Sequence, residues 1–127
     1  MTREEMAAQI LELVEKWQPT TFHELVKKLG KEAKGEQMAT MPNRPNLVLW
    51  DGVSDLFIDA LNILHDKLFI VSTSELIYMM DGGVLNLPIW SKLNHKKPHW
   101  VPTAISIRTE ENQAEIDAIK AKKKRAA

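Results

Sequence analysis

SDLFIDALNILHDKLFI, residues 54–70, is the stretch on which the fold turns. It carries an apolar set, Leu56, Phe57, Ala60, Leu61, Ile63, Leu64 and Leu68, and a polar set, Asp55, Asp59, Asn62 and Asp66, spaced i, i+4, i+7 and i+11. So narrow a polar stripe predicts a helix reaching about Lys67 with most of its circumference buried. Ser54 or Asp51 is placed to cap it. Just ahead, Leu47-Val48-Leu49-Trp50 is a short, fully apolar run bounded by Asp51-Gly52, which reads as a buried strand entering a turn. Just behind, Phe69-Ile70-Val71 and Leu76-Ile77-Tyr78-Met79-Met80 read as strands around a polar turn at 72–75. Asp81-Gly82-Gly83 suits a tight turn, since glycine tolerates positive φ. Residues 84–87 read as the returning strand, Pro88 pushes Ile89-Trp90 toward a sheet edge, and 101–107 alternates as a last strand or extended arm.

Upstream, two capped helices are predicted. Met6, Ile10, Leu13, Val14 and Trp17 share one helical face, and Thr2 with Glu5 forms a capping box that satisfies two orphan backbone donors. Gln18-Pro19 ends this helix, because the proline ring disfavours helical backbone in the residue before it. Thr21 and Glu24 repeat the capping pattern ahead of Phe22, Leu25, Val26 and Leu29, and Gly30 is placed to leave that helix with positive φ.

Residues 31–46 carry Gly35, Pro42 and Pro45 and few large apolar groups, so they read as a long connecting loop. From Thr109 the chain is charged, with Glu110 and Glu111 first and Lys120, Lys122, Lys123, Lys124 and Arg125 last. That order complements a helix dipole, but the apolar face is thin. The organisation expected is one domain over 1–108 and a charged, marginal C-terminal helix or tail over 109–127.

Composition narrows the function. The chain has 127 residues, 17 Lys+Arg against 17 Asp+Glu, and no cysteine. Zero net charge argues against a globally basic nucleic-acid binder and against an acidic disordered tail. Without cysteine there are no disulfides, zinc fingers, thiol nucleophiles or iron–sulfur ligands. No apolar run approaches the roughly 18–20 residues of a membrane span. Residues 1–9 lack an apolar signal core, so a cytoplasmic location is expected. His95 and His99 stand four apart, but Pro98 opposes the helix that would align them, so no metal is expected. Ser54, His65 and Asp59 lack a nucleophile-elbow pattern, and the glycines lack the sequel of a phosphate loop. Neither a cofactor nor catalysis is expected.

The order helix, helix, strand, helix, hairpin resembles the winged helix superfamily. The residues that carry the likeness are the two capped helices up to Gly30, the helix from Ser54, and Ala60-Leu61-Asn62-Ile63-Leu64-His65-Asp66-Lys67-Leu68-Phe69-Ile70. The last of these looks like the superfamily's third helix running into its first wing strand, with the hairpin through Asp81-Gly82-Gly83. The resemblance implies an α+β fold: a three-helix core, a small antiparallel β-hairpin or sheet, and a prior for DNA binding through the third helix.

The residues on that helix oppose groove insertion. Phosphates attract Lys and Arg, yet from Asp51 through Asp81 there are six acids, Asp51, Asp55, Asp59, Asp66, Glu75 and Asp81, against the single base Lys67. Basic charge lies elsewhere: from Gly82 through Thr109 there is no acid, and Lys92, Lys96, Lys97 and Arg108 are present. With Trp90 and Trp100 flanking the loop, these six are the nucleic-acid-binding candidates, because lysines grip phosphates and aromatic rings stack on unpaired bases. The plainer alternative is that both tryptophans belong to the core and the lysines solvate a loop. The second functional expectation is a protein–protein module. Asp55, Asp59, Asn62 and Asp66 would meet a basic partner, or the basic loop of a second copy in a homodimer.

Overall fold

Thr2 starts the first helix as its sequence directs. Its hydroxyl accepts the Glu5 N–H at 3.1 Å, and the Glu5 carboxylate accepts the Thr2 N–H at 3.3 Å. The helix, α1, spans Arg3–Trp17 and buries Met6, Ala7, Ile10 and Val14. The computed structural model describes residues 1–41, 44–81, 83–90 and 96–111, with Ala114 and Ala118. Helix α2, Phe22–Leu29, is capped by Thr21 and left through Gly30 at φ +76°. Trp17 lies at the open end of α1, half exposed, with Lys28 Nζ 4.2 Å above its ring rather than inside the core.

The described residues of 31–46 are not a loop. A 3-10 turn, Gly30–Ala33, leads into strand β1, Lys34–Met41, which pairs antiparallel with β2, Arg44–Val53. The strand escapes a periodicity reading because it is an edge with mostly exposed side chains; only Ala39 is buried. Its stability comes from backbone pairing, which leaves no apolar signature. Gly35 is required there, since a Cβ at that position would lie 2.7 Å from the Val53 carbonyl oxygen. Leu47, Val48, Leu49 and Trp50 are buried as expected. Asp51-Gly52, however, does not end the strand. Gly52 sits at φ +71° within an irregularity where Val53 faces both Lys34 and Gln37.

Helix α3, Asp55–Ile63, is capped by Ser54, whose Oγ accepts the Phe57 N–H at 3.1 Å. It is shorter than expected: residues 64–67 are turns, and Lys67 N–H donates to Leu64 O at 2.8 Å. Phe57, Ala60 and Leu64 are buried in the core with α1. Strand β3, Leu68–Ser72, follows as expected.

The hairpin expected at 76–87 is a correction. Glu75–Asp81 is helix α4, and 84–87 forms no strand. A continuous apolar run carries no period that separates strand from helix. Leu and Met favour helix, and the Ser74 Oγ accepts the Leu76 N–H at 3.2 Å to start it. The partner of β3 is instead β5, Thr103–Ile107, antiparallel from Leu68↔Ile107 to Ser72↔Thr103. On the other side of β5, Thr20 and Ile105 exchange two backbone hydrogen bonds of 2.9 and 2.8 Å. Strand β4, His99–Trp100, runs parallel to β2.

The architecture is α+β: four α-helices, a mixed sheet ordered β1-β2-β4 and a two-stranded sheet of β3 and β5, among the described residues. An aromatic cluster ties α4 to the three-stranded sheet, the Tyr78 ring centroid lying 5.3 Å from that of Trp50 and 5.0 Å from that of Trp100. Of the 109–127 segment, Thr109 is irregular, Glu110, Glu111, Ala114 and Ala118 are helical, and the rest lies outside the described residues.

Candidate binding surfaces

Helical spacing places Asp55, Asp59 and Asn62 on the solvent edge of α3, and Asp66 is exposed in the turn beyond it. Among the described residues neither Asp55 nor Asp59 makes an ion pair, so this edge keeps its negative charge, while Asp66 Oδ1 meets His65 Nε2 at 2.9 Å. Ile63 corrects the picture of a helix buried on all but its acidic stripe: it is 44% exposed. The early end of the helix lets Ile63 turn outward beside Asn62. An acidic edge repels phosphates.

The basic-aromatic set does not stay together. Trp100 is 0% exposed, held between Trp50 and Tyr78, and is not available to stack on a base. Its backbone ties residues 88–90 to the sheet, accepting the Trp90 N–H at 2.8 Å and donating to Pro88 O at 2.8 Å. Lys96 and Lys97 are exposed, and Trp90 is half-buried. Arg108 is exposed, its backbone N–H donating to Lys67 O at 2.9 Å. Lys92 lies outside the described residues.

Three candidates from the two sets, Asn62, Trp90 and Arg108, meet at one cleft of about 530 Å³. It is an open cleft lined by residues of β1, β2, α3, β3, Trp90 and the chain from Val101 to Arg108. Leu47, Leu49, Leu61 and Leu68 give it apolar walls. Arg44, His65 and Thr103 also line it, and sequence reading gave none of them a role. No carboxylate lines it among the described residues. Thr103 is 3% exposed and its Oγ1 has no hydrogen-bond partner.

A further surface, hidden by the strand reading, lies on α4. Among the residues of α4 whose burial is described, Tyr78 alone is buried, while Leu76, Ile77, Met79 and Met80 are exposed, Met80 by 87%. The Tyr78 hydroxyl donates to Thr103 O at 2.7 Å and accepts the Phe22 N–H at 3.2 Å, so one side chain fixes the helix to α2 and β5.

Among the described residues no group of three His, Asp or Glu side chains is arranged to hold a metal, and no helix is long and apolar enough to cross a membrane. No family model, curated protein or solved structure matches the chain.

Proposed function

We propose that the chain is a non-enzymatic protein-binding module on a winged-helix-type scaffold, and that it self-associates through α4. The observation that carries this reading is the exposure of Leu76, Ile77, Met79 and Met80 around the single anchor Tyr78. Contiguous apolar surface on a soluble domain marks an interaction site, and methionines adapt to the surface they meet. A second copy is the occupant because equal numbers of acids and bases leave no net repulsion between copies. The acidic α3 edge and the acid-free 82–109 segment also offer complementary charge for register. Sedimentation velocity over a concentration series tests it: a monomer–dimer shift is expected, and a monomer at every concentration overturns it.

Three features support the scaffold. Helices α1, α2 and α3 enclose one core. Residue Thr20, between α1 and α2, bridges β5. Strand β5 is in turn flanked by β3, which follows α3. In this reading the wing is the long excursion from Thr73 to Pro102, with α4 at its start.

A second reading, nucleic-acid contact, is favoured by the exposure of Lys96 and Lys97 on that excursion, in a segment without acids. It works without Trp100 and without α3. It requires binding that weakens steeply with salt, by about one unit of log–log slope per phosphate contacted; binding insensitive to salt removes it.

A further inference from the structure

The cleft between α3 and the two sheets sorts its lining by depth. Ala39, Leu47, Leu49 and Leu68 are buried and form an apolar floor. The charged residues Arg44, His65 and Arg108 are exposed and stand at the open side. A charged group on that floor would exchange water for hydrocarbon, which is costly. An uncharged apolar body gains from the same transfer. The volume of about 530 Å³ lies in the range of small-molecule sites.

One polar atom interrupts the floor. Leu68, Ile70 and Ser72 line the cleft, and alternate residues of a strand share one face. Thr103 stands directly opposite Ser72 in the antiparallel register, so its side chain rises from the same cleft-facing side. Thr103 is 3% exposed, and its Oγ1 has no hydrogen-bond partner among the described residues. The Tyr78 hydroxyl occupies the Thr103 backbone carbonyl and leaves the side-chain oxygen as it is. A buried hydroxyl in that condition is costly until something completes it.

We infer that this cleft binds a small uncharged alcohol whose apolar body covers the floor and whose hydroxyl pairs with Thr103 Oγ1. Burial of the apolar body supplies most of the affinity. The hydroxyl sets the orientation, because a threonine oxygen both donates and accepts and an alcohol answers in either sense. A hydrocarbon of the same shape leaves Thr103 unpaired. The matching carboxylate brings a charge that the floor does not solvate.

The test uses the full chain with 2-naphthol, naphthalene and 2-naphthoate at neutral pH, followed by calorimetry. 2-Naphthol saturates at one per chain, naphthalene binds about fivefold weaker, and 2-naphthoate about tenfold weaker or worse. Thr103→Val keeps the size of the side chain and removes the hydroxyl. It brings 2-naphthol down to the level of naphthalene and leaves naphthalene unchanged, which also shows that the variant is folded. Thr103→Ser keeps the hydroxyl and with it the preference for 2-naphthol. The inference is overturned if 2-naphthol does not bind, if naphthalene or 2-naphthoate binds as tightly, or if Thr103→Val holds 2-naphthol as the parent does. Loss of the preference in Thr103→Ser overturns it as well. None of these outcomes depends on self-association, because the cleft lining includes no α4 residue.

Discussion

Tyr78 Oη donates to the backbone carbonyl of Thr103 at 2.7 Å, across 25 residues of chain. The same oxygen accepts the N–H of Phe22, one of the donors left without a partner in the first turn of α2. Thr21 Oγ1 accepts the Glu24 N–H of that turn. Tyr78→Phe keeps the ring between Trp50 and Trp100 and removes only the hydroxyl. It leaves a buried donor and a buried acceptor unpaired, at a cost of about 1–3 kcal/mol. Urea unfolding of the two proteins measures it, and equal midpoints would show that water replaces the hydroxyl at no cost.

Gly83 lies against His23 so closely that a Cβ would overlap the imidazole ring at Cδ2. The ring itself is backed by the edge of Trp50, 5.9 Å between centroids, and cannot retreat freely. Gly83→Ala therefore destabilises by about 1–3 kcal/mol through overpacking. His23→Ala removes the obstacle, so the double variant is more stable than the sum of the two single changes predicts. Strict additivity in a double-mutant cycle would place the cost of Gly83→Ala in the backbone instead.

The helices were legible where side chains cap them. Thr2, Thr21 and Ser54 act on backbone groups within three residues, so the cause and the effect lie together in the chain. Strand β2 was legible because a strand covered on both faces reads as an unbroken apolar run. Strand β1 was not, because an exposed edge needs no apolar alternation. Helix α4 was not, because Leu76 to Met80 is apolar at every position and so has no period. The pairing of β3 with β5 depends on an excursion of about thirty residues, which no local pattern encodes. Among the site candidates, the exposure of Asp55, Asp59 and Asn62 followed from helical spacing, whereas Asp66 is exposed in the turn beyond the helix end. The burial of Trp100 did not, since it depends on Trp50 and Tyr78 arriving from other parts of the chain. The cleft is assembled from parts of the chain far apart in sequence, and Arg44, His65 and Thr103 come together only there.

Ser54 serves two connections at once. Its Oγ accepts the Phe57 N–H at 3.1 Å as the cap of α3 and donates to Glu32 O at 2.7 Å, holding the 3-10 turn against the helix start. Ser54→Ala loses both and costs about 1–2 kcal/mol. Ser54→Thr keeps the oxygen and restores most of it. The comparison is made by thermal unfolding of the three proteins, and a Thr variant as weak as Ala would mean that the extra methyl group, not the oxygen, governs the site.

Glu4 sits in the first turn of α1, and its carboxyl is held below the usual carboxylate value, first by a hydrogen bond to its own backbone N–H and then by the Arg3 guanidinium, whose Nε is 3.1 Å away. A depressed folded pKa means that the ionised form is favoured on folding. The contribution is present above the unfolded carboxylate pKa and is lost as pH falls through the lower folded value. Glu4→Gln is thus slightly less stable than the parent at neutral pH, and the gap closes in acid. A gap that widens in acid would reverse the sign of the interaction.

The α4 surface gives the sharpest test of self-association. Leu76 and Met80 stand four residues apart on one side of the helix and are exposed by 60% and 87%. Lysine at both positions costs the fold little, because neither side chain packs in the core, and lysine is tolerated in an exposed helix. It costs the dimer a great deal, because two ammonium groups per copy would have to be desolvated against two more. Leu76→Lys with Met80→Lys is therefore expected to unfold at the parent's urea midpoint at low concentration and to sediment as a monomer where the parent dimerises. Asp55→Asn with Asp59→Asn serves as the control, changing the acidic edge of α3 while leaving α4 intact, and it retains the dimer if the apolar helix supplies the affinity. Dissociation by the aspartate variant and not by the lysine variant would move the interface from α4 to α3.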